Sequence, residues 1–216
     1  MKTKGIISDM DGVILDTEKL YVRFWREAAS FYGFPMTLDH ALGIRSLSGK
    51  LAEEKLQGWF GKEFDYNAVR QKRIELMDEF VSQNGVEPKS GAKALLSYIK
   101  DNGYALALAT ATPVDRAGRY LKSVELYSFF DQIVSAREVE RGKPAPDIYL
   151  CAAKRLGLDP EECIALEDSQ NGIRSAFTAG CKTIMVPDLD QPTEEIMPLL
   201  FGVANGLEDV INIGKL

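Results

Sequence analysis

The chain has 216 residues, of which 45% are hydrophobic and 27% charged, with a net charge of −6 at pH 7. That length allows one sizeable core with a smaller appendage, and the acidic balance speaks against a duplex nucleic-acid partner, which needs a face rich in Lys and Arg. No apolar run approaches a membrane span and the opening MKTKGIISD turns polar too soon for a secretory signal, so the expectation is a cytoplasmic monomer with no membrane or nucleic-acid partner.

In chain order, the first informative stretch is GIISDMDGVILDT, Gly5 to Thr17. Ile6-Ile7 predicts the end of a buried strand, and Asp9 and Asp11 follow two residues apart, so on extended backbone both carboxyl groups face one small volume. Like charges so close resist joint ionisation unless a cation or a shared proton offsets them. Asp16-Thr17 then reads as the start of a helix.

Glu18 to Tyr32 places Leu20, Phe24, Ala28, Phe31 and Tyr32 at the spacing of one helical face, and Gly33 and Pro35 stop it. Further helices are expected around Leu47 to Phe60 and Ala68 to Val81, with loops at Gly61-Lys62 and Asn84-Gly85 and no strand between Thr17 and Gly85. His40, the sole histidine, reads as a surface residue in a loop or helix start, which leaves no support for a histidine-based triad. The segment LSGKL is not a phosphate loop, because its glycine spacing is one residue too long and Leu51 stands where Ser or Thr is required.

From Val86 the texture changes. A helix with Ala92, Leu95, Leu96 and Ile99 on one face precedes YALALA, a continuous apolar run of the kind buried on both faces of a parallel sheet. The alternation continues with a helix over Pro113 to Ser123, a strand over Gln132 to Ser135, a helix over Pro146 to Leu156, a strand over Cys163 to Leu166, a helix over Ser169 to Ala179 and a strand over Thr183 to Val186. This pattern predicts an α/β, Rossmann-like parallel sheet with helices on both faces, built from residues 1–16 and 86–216, with an all-helical cap over residues 17–85 inserted after the first strand. Cys151, Cys163 and Cys181, odd in number and set among apolar residues, read as buried reduced thiols.

In an open parallel sheet the active site lies beyond the carboxyl ends of the strands, where Asp9 to Asp11, Thr110 and Glu167-Asp168 all fall. DMDGVILDT, the strand-ending Thr110 of YALALAT, Lys143 in RGKPAPDIY and the Glu167-Asp168 pair of ALEDSQNG together resemble the four motifs of the haloacid dehalogenase-like superfamily. The helical insertion and the GKPAPDIY and EDSQNG forms are similar to its branch of beta-phosphoglucomutases and sugar-phosphate phosphatases.

The resemblance implies Asp9 as nucleophile and Asp11 as general acid and then base. It implies Thr110 and Lys143 as phosphate-binding groups, and Mg²⁺ held by Asp9, Asp168, Glu167 and the backbone carbonyl of Asp11. Arg45, in the insertion, is a further candidate for clamping a second anionic group of the substrate. The expected function is a Mg²⁺-dependent phosphatase of a small phosphorylated metabolite, a sugar phosphate, acting through an aspartyl phosphate. The alternative is a phosphomutase, weakened because Tyr21 stands where that mutase carries a His; a non-catalytic phosphometabolite-binding module ranks lower. Asp11 argues against dehalogenation, which needs no acid at that position.

Overall fold

In a computed structural model, which describes residues 2–45, 47 and 49–216, the apolar tetrapeptide Gly5–Ser8 forms a fully buried strand, β1. It lies between β2 (Ala105–Thr110) and β4 (Cys163–Glu167), each parallel to it, with Ser8 opposite Leu108 on one side and Leu166 on the other. β3 (Gln132–Ser135), β5 (Lys182–Met185) and the two-residue β6 (Gly202–Val203) complete a six-stranded sheet in the order β3-β2-β1-β4-β5-β6. The order reverses at β1. A crevice therefore opens beyond the carboxyl ends of β1 and β4, and it is there that the chain places Asp9, Glu167 and Asp168.

Alternation along the strands sorts their side chains onto two faces. Ile7, Ala107, Ala109 and Ala165 share one core cluster with Tyr149 and Ala152 of α7 (Asp147–Leu156) and Ala176 of α8 (Gln170–Ala179). The three strand alanines leave room for α7 to approach the sheet closely, while α6 (Val114–Ser123) follows β2 in the chain. Ile164 points to the opposite face, where it meets Gly214 of the short α9 (Val210–Gly214). On α5 (Ala92–Asp101) the expected face is wholly buried, and Leu95, Leu96 and Ile99 each contribute about 1.5–3 kcal/mol by leaving water. The parallel α/β sheet read from the sequence is thus present, with helices on both faces.

Beyond β1 the chain turns tightly: Gly12 donates to Leu15 O at 2.8 Å, and Gly12 has φ +83°, which an L side chain would strain. Asp16 donates its amide to Glu87 O and Lys89 to Ile14 O, both at 2.9 Å, so the chain leaves and re-enters the α/β unit side by side.

Two compact units result, Met1–Asp16 with Glu87–Leu216, and Thr17–Val86. The second is helical, with α1 (Glu18–Phe31), α2 (Leu38–Gly43), α3 (Gly49–Phe60) and α4 (Tyr66–Asn84), and no strand among its described residues. Its core joins Ala28, Leu56, Phe64 and Val69. Thr17 occupies the N-cap of α1, but its side chain makes no capping hydrogen bond, so it marks the helix start without the chemistry expected of a cap.

Other boundaries shift for local reasons. α4 begins earlier than its apolar spacing suggests because Asp65 caps it, accepting from Ala68 N at 3.0 Å. Of the helix expected from Leu47, the part at Ser48 lies outside the described residues. His40 belongs to α2, where its Nδ1 accepts from Thr37 N at 3.2 Å while Thr37 Oγ1 accepts from His40 N at 3.3 Å. That reciprocal cap explains a histidine with no catalytic company.

Candidate active site

Lys143, in the loop before α7, is buried and donates three hydrogen bonds, to Asp9 Oδ1 at 2.5 Å, to Glu167 Oε1 at 2.5 Å and to Ala109 O at 3.1 Å. Burial alone would drive its ammonium toward the neutral form, but the Asp9 and Glu167 carboxylates outweigh this and raise its pKa. Lys143 is therefore a fixed positive charge. It joins the tips of three strands, β1 through Asp9, β2 through Ala109 and β4 through Glu167.

Asp9 sits one residue past β1, its amide still paired to Leu166 O at 2.9 Å. Burial pushes its carboxyl well above the ordinary carboxylate range, and Glu167 and Asp11 add to the push while Lys143 opposes it. Asp11 faces β2: its Oδ2 accepts from Thr112 Oγ1 at 3.0 Å and from Thr110 Oγ1 at 3.5 Å, and Thr112 N donates to Thr110 Oγ1 at 3.0 Å.

Glu167 ends β4 with no solvent exposure. Oε1 also accepts from Tyr149 OH at 2.6 Å, and Oε2 accepts from Ser169 Oγ at 3.1 Å and Ser169 N at 3.4 Å. Ser169 in turn caps α8 by accepting from Gly172 N at 3.2 Å. A side chain at Gly172 would overlap the Glu167 carboxyl, so the absence of a Cβ there is what admits this acid. Tyr149 stays a protonated donor, since burial and then the Glu167 and Asp9 charges raise its pKa well above normal.

Asp168 is buried beside Glu167, and ligand oxygens of Asp9, Glu167 and Asp168 all lie within 4.8 Å of one another. Of the residues singled out in the sequence, Asp9, Asp11, Thr110, Lys143, Glu167 and Asp168 thus meet in the α/β unit. Arg45 belongs to the helical unit, where its Nε donates to Glu18 Oε2 at 2.8 Å. Sequence reasoning passes over Thr112 and Tyr149, and reads Ser169 only as part of a helix start, which its N-cap position on α8 matches. For Tyr149 a signal exists: a tyrosine on the buried face of a helix needs a partner for its hydroxyl.

The pattern of the haloacid dehalogenase-like hydrolases matches residues 6–186, the span from β1 to just past β5. The chain belongs to that family. It is 34% identical over 185 residues to the phosphorylated carbohydrates phosphatase of Thermotoga maritima, covering 84% of this chain and 83% of that protein. To hexitol phosphatase A of Escherichia coli it is 34% identical over 189 residues, 86% of this chain and 84% of the relative. Among solved structures, CbbY from Rhodobacter sphaeroides in complex with phosphate superposes with a TM-score of 0.82 at 23% identity, covering 99% of this chain and 100% of that one, a likeness of fold.

Proposed function

We propose that this haloacid dehalogenase-like hydrolase is a phosphatase, cleaving phosphate monoesters of small sugar-like metabolites through a phosphoryl intermediate on Asp9. The observation that carries the reading is Lys143 held between Asp9 and Glu167 at the tips of three strands, a buried cation set to neutralise a carboxylate and an incoming phosphate together. The names of the relatives, a phosphatase of phosphorylated carbohydrates and one of hexitol phosphates, support the substrate class.

The donor set fits Mg²⁺. Asp9, Glu167 and Asp168 offer only hard oxygen ligands close together, and the four buried carboxyl groups of the site outnumber the single ammonium of Lys143. Asp9 and Asp168, with the backbone carbonyl of Asp11, would hold the ion, and Glu167 stands behind them with its acceptors engaged by Lys143, Tyr149 and Ser169. Bound there, the ion would screen the charge of nucleophile and phosphate and help fix the ester for in-line attack.

The chain's own residues carry the chemistry. Asp9 attacks phosphorus, the bond to the ester oxygen breaks, and Asp11 gives that oxygen its proton. Asp11, now ionised, takes a proton from water, which attacks the phosphoryl group and restores Asp9. Lys143 balances charge throughout, and Thr110 turns its hydroxyl to a phosphate oxygen.

The deciding experiment measures phosphate release from phosphorylated sugars, hexitols, nucleotides and phosphoglycolate, with and without Mg²⁺. Release should require Mg²⁺, favour sugar or hexitol phosphates, and vanish in a folded Asp9→Asn variant; substantial turnover by that variant would end the proposal. A phosphomutase is the alternative, which fits the likeness to a Thermotoga maritima protein described as a beta-phosphoglucomutase, at 28% identity; conversion of glucose 1-phosphate to glucose 6-phosphate without free phosphate would favour it.

A further inference from the structure

We propose that Tyr149 is a positioning residue, whose hydroxyl fixes the Glu167 carboxylate so that Glu167 holds Lys143 in place on Asp9. The inference rests on the phosphatase reading only for its kinetic test. The geometry stands apart from it.

Lys143 has three ammonium hydrogens and three acceptors, Asp9 Oδ1, Glu167 Oε1 and Ala109 O. Asp9 cannot be the permanent anchor, because esterification by phosphate removes its charge during turnover. Ala109 O is a neutral acceptor at the longest of the three distances, 3.1 Å. Glu167 is therefore the one charged anchor that persists through the cycle, and what fixes Glu167 fixes Lys143.

A carboxylate has about four acceptor positions, and here all four are taken: Lys143 and Tyr149 OH on Oε1, Ser169 Oγ and N on Oε2. Ser169 is local, two residues along the chain, and holds the oxygen that faces away from Lys143. Tyr149 comes from α7 and is the second donor to the very oxygen that binds Lys143. It is fully buried in an alanine-lined cluster, so its hydroxyl has a single use. The Tyr149 ring also flanks the ammonium, 5.4 Å from Nζ to centroid, and Tyr149→Phe keeps that ring while removing only the hydroxyl.

The test is a double-mutant cycle with an independent spectroscopic reading. Tyr149→Phe should lower kcat roughly tenfold and leave KM and the calorimetric Mg²⁺ dissociation constant within about twofold of wild type. Glu167→Gln should lower kcat further, and adding Tyr149→Phe to it should cost nothing more, because the hydroxyl acts only through that carboxylate. In lysine-detected NMR of the metal-free protein, the Lys143 ammonium signal, assigned by its loss in Lys143→Gln, should move and exchange with water at least several-fold faster in Tyr149→Phe.

Wild-type kcat in Tyr149→Phe, or multiplicative losses in the double variant, would overturn the proposal. So would an unchanged Lys143 signal, a reading that decides the matter even if the wild-type protein releases phosphate from no ester. That last result would defeat the phosphatase reading alone.

Discussion

Thr112 Oγ1 donates to Asp11 Oδ2 at 3.0 Å, closer than Thr110, the strand-ending residue, whose hydroxyl lies 3.5 Å from the same oxygen. The residue two positions past the strand therefore has the better hold on Asp11, and Thr110 is left able to turn toward a ligand. Thr112→Val, which keeps the shape and loses the hydroxyl, should lower kcat about fivefold, the rate equivalent of one net hydrogen bond. Thr112→Ser should restore most of it. Equal kcat in the Val and Ser variants would deny Thr112 a part in orienting Asp11.

Gly172 lies so close to Glu167 that any Cβ there would collide with the carboxyl. In an exposed helix, Gly→Ala stabilises by up to about 1 kcal/mol. Here the sign should reverse, since either Glu167 or α8 has to move, at a cost of about 1–3 kcal/mol. Thermal melts of Gly172→Ala should show a lowered Tm together with a loss of activity larger than that of Tyr149→Phe. A raised Tm with full activity would show that the helix yields freely.

Most of the sheet was legible because its strands are short apolar runs bounded by turns, with YALALA the plainest, and the expected strand over Gln132 to Ser135 matches β3 residue for residue. Asp9 and Asp168 were legible as motif residues just past strand ends, and Lys143 through the loop motif RGKPAPDIY. What escaped depended on tertiary neighbours. α2 has six residues, too few to show a period, and exists through the Thr37–His40 cap; β6 has two, and is defined by pairing with β5.

Arg73 was passed over on a helix of mixed composition, yet it is buried, with its guanidinium 4.9 Å from the Tyr21 ring centroid and 5.5 Å from that of Trp25. Tyr149 and Thr112 act through bonds to acids distant in sequence, which no local pattern announces.

Asp131 should make part of the fold's stability depend on acid pH. Its Oδ2 accepts from Leu106 N at 2.8 Å and its Oδ1 from Lys100 Nζ at 2.6 Å, tying the entrance of β3 to β2 and α5. Burial pushes this carboxyl up, but the Lys100 ammonium and the Leu106 amide prevail and hold it below its ordinary value. A carboxyl whose folded pKa is depressed adds stability above its unfolded pKa of about 3.9, and loses it as pH falls through the folded value. Asp131→Asn should therefore be less stable than wild type at neutral pH, the two denaturation midpoints converging as pH falls through and below the depressed folded value. A gap that stays constant with pH would show that the hydrogen bonds matter and the charge does not.

The thiols divide by environment. Cys163 and Cys181 are buried, and burial pushes their pKa values up to about 11 and about 12, with Glu162 adding to the first and Cys163 to the second. Cys163 Sγ also donates to Asp159 O at 3.6 Å, while Cys151 is only half-buried and departs from the fully buried setting its apolar neighbours suggest. Thiolate is the reactive form, so each unit of pKa above the working pH costs about tenfold in reactive fraction, and access multiplies that cost. A disulfide-exchange reagent at neutral pH should thus label Cys151 first, leaving Cys163 and Cys181 to react at the rate of unfolding and to speed up in denaturant. Rapid labelling of all three thiols in the native protein would mean that the strand edges at β4 and β5 open far more readily than their burial implies.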